Sequence, residues 1–334
     1  MRFRFALVLL LLGTLAAPAS PPQATKRPAN SIATRRITYH GWPGSILLSN
    51  GQVEAVVVPN IGRVMQFRFA GEEDGPLWEN RLLDGKKPDP DSREWINFGG
   101  DKSWPAPQAD WKRMTDREWP PPATFDAMPV KARLGRGEVE LVSSVSRAYG
   151  IRVRRRIRLD ADGAGMRITT IYEKVRGAPV RVSVWVITQL DEPERVFVPR
   201  DSRNPQGYRP LTEAPPRDLT VGPNRLSLTR DPARGTKIGT DGEHLVWMDH
   251  RYVLAVMTDR RQPQADYPDQ GSSVEVWTNP DPLPYIELET LGPLREMKVG
   301  DTLEQTNYYL LSRRSEKDPE TEAGRFSWGL PPAD

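Results

Sequence analysis

The sequence contains no cysteine, and only three of its 334 residues are histidine. Without a thiol the chain forms no disulfide and offers no thiolate to a substrate or a metal ion. His40, His244 and His250 are too scattered to form a recognisable transition-metal site. We therefore expect no metal and no cofactor, with a calcium ion at the acidic segment 89–94 as a weaker alternative.

Familiar catalytic signatures are also missing. The chain has no Gly-x-Ser-x-Gly elbow and no His-Glu-x-x-His motif, and its "GGDK" segment lacks the spacing of a phosphate-binding loop. No window of the sequence has the period of an amphipathic helix, and we find no internal repeat. These absences exclude the commonest nucleotide-binding and hydrolase classes.

The one long apolar run lies at the N-terminus, where Arg2 and Arg4 precede residues 5–17 and Ala17 and Ala19 follow. This pattern predicts a signal peptide cleaved after Ala19, because about 13 apolar residues are too few to span a bilayer. We therefore expect a periplasmic or secreted protein with no membrane span in its mature part. Residues 20–36 are predicted to be a disordered linker, residues 37–312 a single domain, and residues 313–334 a polar tail.

Opposite charges are almost balanced. Loss of residues 1–19 removes Arg2 and Arg4, which lowers the formal charge from +3 to +1. A protein that binds nucleic acid usually presents a strong basic surface. We therefore expect no nucleic-acid partner.

Short segments rich in β-branched and aromatic residues fill most of the chain and alternate with a period of two. This pattern predicts an all-β protein built of large antiparallel sheets. The predicted strands are 53–59, 62–71, 139–146, 151–160, 166–175, 180–190, 225–229, 244–249, 252–259, 272–278, 284–291 and 304–311. Within 151–159, Arg152, Arg154, Arg156 and Arg158 share one strand face, which we interpret as a solvated outer face in preference to an anion-binding stripe.

Residues 84–126 do not follow this alternating pattern. They carry four of the ten tryptophans, Trp95, Trp104, Trp111 and Trp119, beside Asp101 and Lys102. Long segments without regular structure are uncommon inside a domain and are often functional. Indole rings pack against the C–H face of a sugar and leave a ring N–H to donate, although such rings also serve as a plug over a sheet. We expect the "GGDKSWPAP" loop to form one wall of a ligand site.

Three segments resemble galactose mutarotase-like proteins, also called aldose 1-epimerase-like proteins. Residues 48–80 resemble the opening strands of that superfamily, and "NFGGDKSWPAPQ" is similar to the Gly-Gly…Trp-Pro segment of its hexose-phosphate epimerase branch. Residues 284–311, with "LET" before a Gly-Asp turn, resemble its C-terminal segment. The overall pattern is closest to a family of exported bacterial domains of unknown function within that superfamily.

The resemblance implies a β-supersandwich with a sugar cleft on one sheet face. In catalytic members a glutamate removes the proton of the anomeric hydroxyl, and a histidine protonates the ring oxygen. Glu289 matches the glutamate of that motif, and Glu287 lies on the same strand face. No histidine stands at the position of the acid, so Lys102 and Asp101 are the alternatives, while His250 is a weaker one.

We therefore expect an exported carbohydrate-binding protein whose ligand is a mono- or oligosaccharide. The alternative is an aldose 1-epimerase-like enzyme with Glu289 or Glu287 as the base, and a third possibility is a vestigial cleft. Lys102 and Arg63 would suit an acidic sugar such as a uronic acid. The predicted site residues are Arg63, Asp101, Lys102, Trp104, Trp119, Gln189, Glu287 and Glu289.

Overall fold

The computed structural model describes residues 32–89, 91–201, 203–259 and 266–326. The predicted signal peptide and most of the predicted linker lie outside the described residues. Among those described, no helix is long and apolar enough to cross a membrane.

Strands dominate this part of the chain, as the alternating sequence predicts. In chain order they are β1 (Ala33–Tyr39), β2 (Trp42–Ser49), β3 (Val53–Val58), β4 (Arg63–Phe69), β5 (Asp101–Ala106), β6 (Lys131–Gly135), β7 (Glu138–Val145), β8 (Ile151–Leu159), β9 (Gly165–Lys174), β10 (Val180–Asp191), β11 (Arg195–Pro199), β12 (Arg209–Pro210), β13 (Thr220–Val221), β14 (Arg225–Leu228), β15 (Thr236–Thr240), β16 (His244–Met248), β17 (Tyr252–Thr258), β18 (Val274–Thr278), β19 (Tyr285–Leu291), β20 (Arg295–Met297) and β21 (Thr302–Arg313). The helical segments are short: α1 (Trp111–Thr115), α2 (Ala123–Asp126), α3 (Pro268–Gly271) and α4 (Pro319–Gly324), with 3-10 turns at Arg81–Leu83 and Gln108–Asp110.

The strands form two antiparallel sheets. The first sheet is 11-stranded in the order β1-β2-β3-β4-β5-β10-β19-β18-β15-β12, with β20 beside β10, and the second is 10-stranded in the order β13-β14-β11-β16-β17-β21-β9-β8-β7-β6. Apolar side chains from both sheets, among them Val64, Leu288 and Leu254, pack into one core between them. Burial of this area is the main force holding the sheets together. The predicted all-β sandwich of large antiparallel sheets is confirmed.

Several boundaries differ from the expectations. β1 begins at Ala33, inside the predicted linker, where it pairs with β2 from Ala33↔Ser49 to Tyr39↔Trp42. The first part of the predicted tail packs on the domain, since Ala323 of α4 is buried in an apolar cluster and Phe326 packs against the same cluster.

The arginine stripe of β8 lies on an outer face, as interpreted from the sequence. Arg154 donates to Glu140 and Glu173 on the neighbouring strands, and Arg156 donates to Glu140. Arg155 points the other way, into the space between the sheets, where it contacts Asp101.

Candidate functional site

Five adjacent strands of the first sheet, β5, β10, β19, β18 and β15, turn an unusual set of side chains away from the second sheet. We call this surface the outer face. The register places Lys102 opposite Ile187, Ile187 opposite Glu289, and Glu289 opposite Glu275. Because side chains alternate along a strand, residues two apart then share this face. It carries Lys102, Trp104, Trp185, Gln189, Lys237, Glu275, Trp277, Glu287 and Glu289.

The "GGDKSWPAP" segment is a strand rather than the predicted loop, since residues 101–106 form β5 and pair with β10 from Ser183↔Ala106 to Thr188↔Asp101. On its other side β5 pairs with β4 only at Val64↔Asp101, so Pro105 costs no ladder hydrogen bond there. Gly99 and Gly100 have φ values of 92° and 71°. An added Cβ would lie 2.2 Å from the Trp78 carbonyl oxygen or 2.5 Å from that of Val64, so these glycines allow close contact with backbone rather than with a ligand.

Five tryptophans form a continuous cluster beside Lys102, which we call the tryptophan wall: Trp95, Trp104, Trp111, Trp119 and Trp185. Trp104 lies at its centre, with ring centroids 5.7 Å from Trp95 and 5.3 Å from Trp185 in edge-to-face geometry. Trp111 is fully buried, whereas Trp119 is 43% exposed at the outer rim. The wall is therefore a packed structure in which Trp119 has the most exposed indole.

Asp126 ties this wall to the first sheet. Its Oδ1 accepts from Trp104 Nε1 at 2.9 Å and from Arg63 Nη2 at 2.8 Å, and its Oδ2 accepts from Trp95 Nε1 at 3.2 Å. Arg63 also donates to the Gly99 carbonyl at 2.6 Å. The indole N–H groups of Trp95 and Trp104 are therefore used within the protein, contrary to the expectation that they stay available to a ligand.

Lys102 and Glu287 form the most unusual pair on the outer face. The Nζ of Lys102 lies 3.7 Å from Oε1 of Glu287, and the two side chains are 0% and 8% exposed. No hydrogen-bond acceptor for this Nζ exists among the described residues. It lies 5.1 Å from the ring centroid of Trp104 and 5.8 Å from that of Trp95. Gln189 Nε2 donates to the same Glu287 oxygen at 2.8 Å.

Burial moves the pKa values of this pair toward each other. Loss of hydration raises the pKa of Glu287 to about 7, although the charge of Lys102 opposes that shift. The same loss lowers the pKa of Lys102 to about 8, although Glu287 opposes it. Near neutral pH both groups are therefore able to exchange a proton.

Glu289 has a different environment from that of Glu287. Its Oε2 accepts from Trp185 Nε1 at 2.7 Å and lies 2.8 Å from Lys237 Nζ. Lys237 Nζ lies 2.5 Å from Glu275 as well, and 4.4 Å from the ring centroid of Trp185. Burial alone would lower the pKa of Lys237, but the two carboxylates raise it. Lys237 therefore stays charged and holds Glu289 in place.

The structure brings together Lys102, Trp104, Gln189, Glu287 and Glu289, with Trp119 at the rim. Arg63 lies nearby but is committed to Asp126 and Gly99. Asp101 is not on the outer face: it is buried between the sheets, where Thr188 and Tyr309 donate to its Oδ2 at 2.7 and 2.6 Å and Arg155 pairs with its Oδ1. The reason is strand alternation, which turns Asp101 and Lys102 to opposite faces of β5.

The histidines lie elsewhere. His40 lies in the β1–β2 turn, where Arg81 Nη2 is 2.8 Å from its Nδ1. His244 begins β16 in the second sheet, and His250 is exposed in the turn that follows it. The predicted alternative that His250 enters the cleft is wrong, because its turn belongs to the second sheet. In the parts of the chain that the structure describes, no three His, Asp or Glu side chains are grouped closely enough to hold a metal ion.

Three residues of the site were missed by sequence reasoning: Asp126, Lys237 and Glu275. Glu275 alternates with Trp277 in "VEVWT", and that alternation would have placed it on the same face as a glutamate of the neighbouring strand. Asp126 and Lys237 carry no local signal, because their partners lie on segments distant in sequence.

Comparison with solved structures identifies the fold. The chain is similar to a candidate aldose 1-epimerase from Escherichia coli K12, with 12% identity, a TM-score of 0.53, and coverage of 84% of this chain and 100% of the other. A candidate mutarotase from Salmonella typhimurium has 11% identity and a TM-score of 0.53, with coverage of 85% of this chain and 94% of the other. Galactose 1-epimerase from Lactobacillus acidophilus NCFM has 11% identity and a TM-score of 0.51, with coverage of 85% of this chain and 99% of the other. The chain therefore has the galactose mutarotase-like β-sandwich fold. No protein-family model matches the sequence, and no curated protein is significantly similar to it.

Proposed function

We propose that this protein binds a carbohydrate on the outer face, between the tryptophan wall and the acidic strands β18 and β19. The observation that carries the proposal is the buried Nζ of Lys102, which has no acceptor among the described residues. A buried donor without a partner costs free energy, and a sugar hydroxyl would satisfy it. Glu287 and Gln189 offer further hydrogen bonds beside it, and an indole offers an apolar face for the C–H groups of a sugar ring.

The fold supports the same class of ligand. The similar structures are named as aldose 1-epimerase, mutarotase and galactose 1-epimerase, all of which act on sugars by name. At 11–12% identity this likeness concerns the fold, so the proposal depends on the side chains of this chain.

Glu287, rather than Glu289, is the carboxylate that we assign to the ligand. Glu289 is already bound by Lys237 and Trp185. Glu287 accepts one amide hydrogen bond and lies beyond hydrogen-bond distance of Lys102. Two carboxylate oxygens accept about four hydrogen bonds, so Glu287 retains acceptor capacity for a ligand hydroxyl.

A second candidate function is aldose 1-epimerase activity, favoured by the closeness of Lys102 and Glu287 and their converging pKa values. Glu287 would accept the proton of the anomeric hydroxyl while Lys102 donates one to the ring oxygen. The bond between the anomeric carbon and the ring oxygen breaks, the carbonyl forms, and the ring recloses on the other face. Both reacting oxygens are bonded to the same carbon, so an adjacent base and acid suit this step.

Export to the periplasm or the medium is part of the proposal. It rests on the basic, then apolar, then small-residue pattern of residues 1–19. Fractionation of cells that express the full chain, with sequencing of the N-terminus of the exported form, tests it. Cytoplasmic protein that begins at Met1 would contradict it.

One NMR experiment distinguishes the two functions. Freshly dissolved single anomers of glucose, galactose and galacturonic acid are mixed with the purified chain, and saturation transfer and anomer exchange are recorded in the same tube. Transfer without accelerated exchange supports binding, whereas exchange that disappears in Glu287→Gln but persists in Glu304→Gln, an exposed control, supports the epimerase. Absence of both signals with these sugars and with their di- to tetrasaccharides would overturn the carbohydrate proposal.

A further inference from the structure

A groove adjoins the tryptophan wall at Trp95. Its volume is about 740 Å³, within the range of about 300–1,000 Å³ that is typical of ligand sites. One wall belongs to the long segment between β4 and β5, and the other belongs to the β7–β8 and β9–β10 turns. Residues from 115 to 128, between β5 and β6, complete the lining. The groove is therefore large enough for more than a single small ligand.

The two walls carry opposite charges that do not neutralise each other. Asp89, Asp91 and Glu94 line one wall, and Arg147 and Arg176 line the other. All five are exposed, and among the described residues none of them takes part in an ion pair. Charged donors and acceptors thus line the same open groove.

Apolar side chains complete the groove. Trp95 and the consecutive prolines Pro120 and Pro121 line it between the charged walls. Arg117 donates to the Ser92 carbonyl at 3.0 Å and so links the segment between β5 and β6 to the segment between β4 and β5. Flat apolar surface bordered by donors and acceptors matches a pyranose ring, which has C–H faces and a rim of hydroxyl groups.

The groove meets the proposed sugar site at Trp95. This ring lines the groove, lies 5.8 Å from Lys102 Nζ and, through its Nε1, donates to Asp126, which lines the groove as well. The exposed Trp119 packs 5.1 Å from Trp95, edge to face. A chain of sugars whose end lies near Lys102 would continue over these two indoles into the groove.

We infer that the groove binds the further units of an oligosaccharide whose terminal unit lies at Lys102 and Glu287. This inference rests on the proposed function. The charges of the groove favour a neutral chain over a polyuronate, because its acidic side chains offset its arginines and leave no net positive charge to attract a polyanion.

Titration calorimetry with sugars of increasing length tests the inference. The probes are glucose with its α-1,4- and β-1,4-linked di-, tri- and tetrasaccharides, galactose with its β-1,4-linked oligomers, and oligogalacturonates. We expect the affinity for one neutral series to rise at least tenfold from one unit to three. In Arg147→Ala/Arg176→Ala that gain should fall below threefold, with the affinity for the monosaccharide unchanged. The control, Arg136→Ala/Arg158→Ala, removes two exposed arginines outside the groove and should keep the gain.

The outcomes separate the two proposals. Two results would overturn the assignment of the groove and leave the proposed function intact. One is binding with equal affinity for the monosaccharide and every longer chain, and the other is a gain in affinity with chain length that persists in Arg147→Ala/Arg176→Ala. A preference for oligogalacturonates would overturn the neutral assignment. If no sugar of any length bound, both the proposed function and the assignment of the groove to an oligosaccharide would be contradicted.

Discussion

Lys102 and Glu287 meet above β10, the strand that separates theirs, with 3.7 Å between Nζ and Oε1 and almost no contact with water. No hydrogen bond joins them, so each charge is stabilised mainly by the other through space. Removing one member of such a pair usually leaves an uncompensated buried charge. Substitutions of these two residues are therefore expected to depend strongly on pH.

Lys102→Met should destabilise the protein at alkaline pH. Without the ammonium group the pKa of Glu287 should rise further, and its ionised form should cost about 3 kcal/mol of unfolding free energy at pH 8.5. At pH 5, where Glu287 is protonated, the variant should be at least as stable as the parent. Urea unfolding at both pH values measures this. The double variant Lys102→Met/Glu287→Gln should recover most of the loss at pH 8.5, and additive losses would contradict the coupling.

Glu287→Gln should change the pH dependence of stability in a defined direction. The pKa of Glu287 is raised by burial, so its contribution is fully present below its unfolded pKa and is lost as pH rises through about 7. The unfolding free energy of the variant should therefore rise relative to that of the parent between pH 5 and pH 8, by about 3 kcal/mol at most. The lowered pKa of Lys102 acts in the opposite direction above about 8, where the parent recovers. Parallel stability curves for the two proteins over this range would argue against a raised pKa.

Asp126→Ala should loosen the tryptophan wall. The substitution leaves Arg63 buried without its carboxylate and removes the acceptor of two indoles, which should cost about 3–5 kcal/mol. The matched control is Asp110→Ala on the same segment, whose pair with Arg113 is largely exposed and should contribute less than about 1 kcal/mol. Chemical unfolding followed by tryptophan fluorescence compares them. Equal losses of stability in the two variants would show that Asp126 does not hold the tryptophan wall in place.

Asp101→Asn tests the assignment of this residue to the space between the sheets. It should cost about 3–5 kcal/mol, because Arg155 loses its buried counter-charge. The affinity of the remaining folded protein for a sugar should stay unchanged, since Asp101 points away from the outer face. A selective loss of affinity with stability preserved would return Asp101 to the ligand site.

Trp119→Ala should weaken sugar binding by roughly tenfold with a stability loss of about 1 kcal/mol, because this ring is partly exposed and offers stacking surface. Trp111→Ala should instead cost about 3–5 kcal/mol, since that ring is fully buried. Calorimetric binding and thermal unfolding distinguish the two roles. An unchanged affinity in Trp119→Ala would remove this ring from the site.

The strands were predictable wherever the sequence alternates, as in β8 and β10, because the period of two reflects burial of one face directly. β5 was not predictable in this way, since Lys102 and Asp101 are both buried there on opposite faces and Pro105 is an unusual strand residue. The two glutamates were predictable from their strand, but their separate roles were not. That distinction depends on Lys237, which reaches Glu289 across β18, and such a contact between distant segments leaves no local pattern.

The central strand order has a consequence for how the molecule folds. β5, β10 and β19 are neighbours in space, yet about 70 and then about 90 residues of chain separate them in sequence. Contacts of such large sequence separation close late and slowly. The indole of Trp185 reaches Trp104 only when β10 has docked on β5, so the joining of these rings would mark a late step of refolding. The chemistry of the outer face would then exist only in the completed sheet, with no smaller fragment of the chain able to carry it.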